Sequence, residues 1–110
     1  MAAKALFLYR IQPVRHEMIS QGSTPEEEEA LAAHFDYLDS LTQSGVVHLA
    51  GRTLTSDYGS FGIILFSAES EEAARRIMLD DPAVMKRVMR PELYPFRASL
   101  VGTLPAQAAP

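Results

Sequence analysis

Three histidines, His16, His34 and His48, and no cysteine are the chain's stock of side chains for moving a proton near neutral pH. Imidazole titrates at about 6.5 when unperturbed, so a histidine can take up and release a proton where carboxylates and amines are locked in one state. The three are not spaced as His-x-x-x-His, and no thiolate is available to complete a metal site, so no metal and no cofactor are expected. There is no Gly-x-Ser-x-Gly elbow for a serine nucleophile and no glycine-rich loop for phosphate. His16 reads as a loop residue, and His48 as a strand residue whose ring meets solvent or a neighbouring carbonyl. Among the carboxylates, Asp81 stands directly before Pro82. Proline drives the preceding residue out of helical geometry, which turns the Asp81 side chain sideways toward the helix that carries His34. Arg52 falls where a strand ends and can grip an anionic group with two N–H donors, or else pair with surface carboxylates. Tyr9, Arg10 and Arg97, on the first and last strands, are further candidates for binding substrate.

The elements that must hold these residues follow from periodicity and turn chemistry. Ala5 to Ile11 is apolar and partly aromatic, which suits a buried strand. Gln12 to Ser23 has no sustained period and reads as a long loop, either a lid or a surface insertion. Thr24-Pro25-Glu26-Glu27 has the layout of a capping box, so a helix begins there. Its four glutamates, Glu26 to Glu29, match the positive end of the helix dipole and read as a solvated first turn without chemistry. Leu31, His34, Leu38 and Leu41 share one face, and Gln43-Ser44-Gly45 stops the helix. Val46 to Gly51 and Phe61 to Phe66 form a hairpin across a turn-rich stretch. Ser70 caps a second helix that Asp80-Asp81-Pro82 ends, and a short helical turn through Val84, Met85 and Val88 follows. Met78, Met85 and Met89 read as packing residues. With Pro91 and Pro95 bracketing a break, Phe96 to Val101 reads as the last strand, and Thr103 to Pro110 as a mobile tail.

The order β-α-β-β-α-β predicts a ferredoxin-like α+β domain, with both helices on one face of a four-stranded antiparallel sheet. The other face is left open, and its apolar residues require a second copy or a ligand as cover. Tyr9, Arg10 and Arg97 are expected to line it. The chain has 110 residues, 47% of them hydrophobic and 22% charged, which sets the expectation of one domain over residues 1–102 and a flexible tail over 103–110. A net charge of -4 with scattered Lys and Arg leaves no footprint for nucleic acid. No apolar run approaches a membrane span and the N-terminus lacks a signal-peptide layout, so a cytoplasmic protein is expected.

His34-Phe35-Asp36-Tyr37-Leu38-Asp39-Ser40-Leu41, followed by Gly45-Val46-Val47-His48-Leu49-Ala50-Gly51, resembles the pattern of the YciI-like (YCII-related) family. Ser70-Glu71-Glu72-Ala73, Asp81-Pro82 and the closing Pro95-Phe96 add to the resemblance, which covers about Leu6 to Val101. It implies a ferredoxin-like fold that dimerises sheet to sheet as a dimeric α+β barrel. It also implies that His34 and Asp81 face a common cleft and act as an acid–base pair. Two positions depart from the family pattern: Gly51-Arg52 stands where Gly-Pro is frequent, and Asp81-Pro82-Ala83 where Asp-Pro-Phe is frequent, implying a differently shaped pocket.

Three functions are compatible with this reading. The first is a small-molecule enzyme of lyase or isomerase type that moves a proton with His34 and Asp81, without metal or organic cofactor. The second is a non-catalytic dimeric ligand-binding or accessory module, with His34 a core-edge histidine and Asp81 a turn former. A cofactor-free monooxygenase on the same barrel is the third. A small-molecule ligand and a homodimer through the open sheet face are the expected partners.

Overall fold

A computed structural model describes residues 4–108 of the chain, so the first three residues of the expected domain and the last two of the expected tail lie outside the described residues. The sheet is built from β1 (Ala5–Pro13), β2 (Val47–Arg52), β3 (Gly62–Ala68) and β4 (Met89–Phe96), and the helices are α1 (Glu17–Gln21), α2 (Pro25–Gln43), α3 (Glu71–Leu79) and α4 (Pro82–Met85). Strand order is β2-β3-β1-β4, all antiparallel. This is the ferredoxin-like α+β arrangement, with the helices on one side.

Alternation along the strands decides what faces the helices. Phe7, Tyr9 and Ile11 of β1 and Ile64, Phe66 and Ala68 of β3 are buried, and they pack with Leu38 of α2, Met78 of α3 and Val84 of α4. Leu6, Leu8, Arg10 and Gln12 carry the opposite parity, with Leu65 and Ile63 beside them on β3 and Tyr94 and Glu92 on β4. That open face is therefore largely apolar at its centre. Tyr94 and Phe96 at its edge are each 43% exposed.

The capping box at the start of α2 forms in full: Thr24 Oγ1 accepts from the Glu27 N–H at 3.2 Å, and Glu27 accepts from the Thr24 N–H at 2.8 Å. Gly45 closes the same helix with φ of 86°, where the Val46 N–H reaches back to Leu41 O at 2.9 Å and the Gly45 N–H to Thr42 O at 3.2 Å. This pair of bonds requires a left-handed residue, which glycine supplies without a Cβ clash. α4 ends in the same way around Arg87, whose φ of 59° allows Val88 to donate to Ala83 O at 2.9 Å.

Three expectations are corrected. The last strand is Met89–Phe96 and not Phe96 to Val101. Its prolines, Pro91 and Pro95, are tolerated because β4 is an edge strand, where a residue without an N–H need not interrupt a ladder on both sides. Arg97 accordingly falls just beyond the sheet and is exposed. The segment between Gln12 and Ser23 is not a bare loop: Gln12 and Pro13 continue β1, and α1 is pinned by Met18 against Ala30 and Val88. Finally, Glu27 is not solvated like its neighbours. Only 9% of its surface is exposed, and Arg15 grips it with two bonds of 2.9 and 2.6 Å.

Candidate active site

Asp81 is where the expectation from Pro82 becomes geometry. The Asp81 backbone is extended (φ -62°, ψ 123°), breaking α3 from α4, and its carboxylate turns inward as the cap of α4, accepting from the Ala83 N–H at 2.9 Å. The residue is completely buried. A buried carboxylate needs partners for most of its lone pairs, and Asp81 has them. Tyr9 donates its phenolic O–H to Oδ2 at 2.7 Å, and His34 Nδ1 lies 2.7 Å from Oδ1 and 2.8 Å from Oδ2. β1, α2 and the α3–α4 junction thus converge on one side chain.

These contacts assign the hydrogens. A carboxylate accepts only, so the ring nitrogen facing it carries the hydrogen and His34 Nδ1–H donates to Asp81. Tyr9 stays a donor: burial raises its pKa most, and the neighbouring Asp81 charge and hydrogen bond raise it further. The ring of Tyr9 is also fixed edge-on against Phe66, with centroids 5.6 Å apart. With both donors held, the neutral imidazole of His34 has its lone pair at Nε2. That atom has no hydrogen-bond partner, yet no buried polar side-chain atom among the described residues lacks one, so Nε2 is open to solvent.

It opens onto a cavity of about 860 Å³ between α2, α1, the sheet and the β2–β3 connection. Leu31, His34 and Leu38 of α2 form one wall, Ile11 and Ile64 the sheet floor, and Met18 and Ile19 of α1 one end. Leu54 and Phe61 of the β2–β3 connection also contribute to the lining, as does Phe35 of α2, which is 70% exposed. Asp81 and Tyr9 are not in the lining; they lie behind His34. A proton-accepting nitrogen in a mainly apolar recess, supported from behind by a carboxylate, is equipped for general base chemistry on a bound small molecule.

The residues singled out from sequence divide as follows. His34 and Asp81 are in direct contact, and Arg52 lines the same cavity. Tyr9 does not line the open sheet face: it shares the buried parity of Phe7 and Ile11 and supports Asp81 instead. Arg10 is on the open face, where it pairs with Glu92 at 3.1 Å and lies 4.8 Å from the centre of the Phe61 ring. Tyr37, one helical turn from His34, turns to the α3 side, where its hydroxyl donates to Ile77 O at 2.7 Å; burial above all pushes its pKa up to about 12. His48, in the irregular register of β2, is exposed to solvent, with Nε2 3.0 Å from Ser67 Oγ. His16 packs edge-on against Tyr58. Among the described residues, no three or more His, Cys, Asp or Glu side chains converge as metal ligands, and no helix is long and apolar enough to cross a membrane.

The fold and site can be set beside known proteins. No curated protein sequence matches the chain. Among solved structures, 5-chloro-2-hydroxyhydroquinone dehydrochlorinase (TftG) from Burkholderia phenoliruptrix AC1100, in complex with 2,5-dihydroxybenzoquinone, is similar in fold, with a TM-score of 0.63 and 19% identity over 84% of this chain and 93% of that one. SnoaB, a cofactor-independent oxygenase from Streptomyces nogalater, aligns with a TM-score of 0.46 and 16% identity over 91% of this chain and 97% of that one. The model of the YCII-related domain matches residues 11–97, which run from the end of β1 past the end of β4, and the chain belongs to that family.

Proposed function

We propose that the chain is a small-molecule enzyme of lyase or isomerase type in which His34 Nε2 is the general base and Asp81 its orienting and charge-stabilising partner. The observation that carries this reading is the contact of His34 Nδ1 with the buried Asp81 carboxylate at 2.7 Å while Nε2 is left bare at a cavity. In the reaction, the Nε2 lone pair takes a proton from a carbon or hydroxyl activated by a neighbouring carbonyl or ring oxygen. The electron pair of the broken bond moves into the substrate, where it either expels a leaving group or is reprotonated at another atom by the imidazolium. Asp81 stabilises the imidazolium between the two steps, and the Tyr9 hydroxyl and Ala83 N–H keep that carboxylate fixed. The dehydrochlorinase of like fold is named for a hydroxylated ring compound, which is consistent with this chemistry on the same scaffold.

The working form in this proposal is a homodimer closed over the open sheet face, since Leu6, Leu8, Ile63 and Leu65 there are only half-buried within one chain and Tyr94 and Phe96 beside them are exposed. The test of the catalytic role is turnover against a panel of activated carbonyl and hydroxyaromatic compounds by the wild type, His34→Ala and Asp81→Asn. His34→Ala is expected to lose about a hundredfold or more. Asp81→Asn keeps the shape but removes the stabilising charge, and is expected to fall between the two. Full activity in both folded variants would make the pair structural.

A further inference from the structure

Arg52 ends β2 with its Cα opposite Gly62 of β3, on the parity that Ala50 and Ile64 carry toward the helices. It is the one lysine or arginine in the cavity lining, and among the described residues it has no ion-pair partner, unlike Arg10, Arg15 and Arg76. Two glycines stand beside it in the lining. Gly51 precedes it, and a Cβ at Gly62 would meet Ile11 Cγ1 at 3.1 Å and Gly51 O at 3.3 Å, so that stretch of floor stays low. The cavity's one carboxylate, Asp39, stands on the α2 wall, where it accepts from Gln43 Nε2 at 3.2 Å and repels anions from that side. Charge in the recess is therefore polarised, with the cation on the β2 side and the anion on α2, and aliphatic side chains between them.

We infer that the cavity takes a carboxylate-bearing small molecule, with its two oxygens on the Arg52 guanidinium and its apolar body along Leu38 and Ile64. Arg52 is then the residue that selects organic acids over their neutral analogues. A guanidinium presents two parallel N–H donors that match a carboxylate, a geometry neither an amide nor an ester reproduces. The inference deepens the acid–base reading, on which it rests only for where the reacting carbon lies: a molecule anchored at Arg52 reaches across the floor toward His34.

The test is binding, not turnover, so the two readings fail separately. Titration of the full-length protein with 3-phenylpropionate and 3-phenylpropionamide, followed by NMR or calorimetry, compares two ligands of one shape and different charge. The wild type is expected to bind the acid about tenfold or more tightly than the amide. Arg52→Gln should abolish that preference, Arg52→Lys should restore part of it, and His34→Ala should keep it. Equal affinity for acid and amide, no binding of the acid to wild type, or a preference that survives in Arg52→Gln overturns the assignment. A retained acid preference alongside a fully active His34→Ala would overturn the base role alone.

Discussion

Tyr9 and Asp81, 72 residues apart in sequence, are joined by a 2.7 Å hydrogen bond in which the phenol donates to the buried carboxylate. The bond ties the central strand β1 to the junction of α3 and α4, so the carboxylate behind His34 is held from the sheet as well as from its own helix turn. Tyr9→Phe keeps the ring against Phe66 but withdraws one donor from a buried charge. It is expected to cost about 2 kcal/mol in urea unfolding, with activity reduced less than by loss of His34.

The pairing of Arg15 with Glu27 gives stability an acid-sensitive component. The Arg15 guanidinium hydrogen-bonded to Glu27, with the Thr24 N–H adding to it, lowers the carboxyl from its ordinary 4.5 to about 2. The unfolded chain therefore binds more protons between these values. The stabilisation is fully present above 4.5 and is lost as pH falls toward 2. Denaturation midpoints measured across that window should fall more steeply with acid in wild type than in Glu27→Gln. Parallel curves would show that the pair contributes nothing.

At Gly45, with φ of 86°, any other L-residue is strained whatever the free space around it. Gly45→Ala is expected to destabilise by about 1 kcal/mol, read as a lower thermal midpoint. An unchanged midpoint would mean that the end of α2 relaxes without penalty.

Much of this was legible from local chemistry. The capping box at Thr24 and Glu27, the stop at Gly45 and the turn forced by Pro82 each depend on residues a few positions apart. The four-stranded antiparallel sheet with its helices on one face followed from the order of the elements. What escaped depends on distant partners. α1 has no period of its own and exists because Met18 finds Ala30 and Val88. Glu27 reads as a solvated glutamate until the chain brings Arg15 to it. Pro91 and Pro95 read as a break, which moves the expected last strand toward the C-terminus, although an edge strand such as β4 accommodates them. Tyr9 did leave a signal: neighbouring strand residues point to opposite faces, so Tyr9 and Arg10 could not both line the open one. A tyrosine on the buried parity also needs a partner for its hydroxyl, and Asp81 is that partner.

Cover over the open face predicts assembly. Light scattering at micromolar concentration should return twice the 12.1 kDa chain mass. Leu65→Asp, placed at the centre of that face opposite Leu8, should return one chain mass with the fold retained. A wild-type mass of one chain that does not change with concentration would rule out the dimer.

The claim on which the site rests is that Asp81 fixes the hydrogen of His34 on Nδ1 and leaves Nε2 free. Two-bond proton–nitrogen NMR of the histidine rings, recorded where the imidazole is neutral, reads this directly. The wild type is expected to show His34 as the Nδ1–H tautomer, with Nε2 having the nitrogen shift of a bare acceptor, and Asp81→Ala to shift the population toward Nε2–H. A wild-type His34 protonated at Nε2, or a tautomer indifferent to the loss of Asp81, would contradict the account.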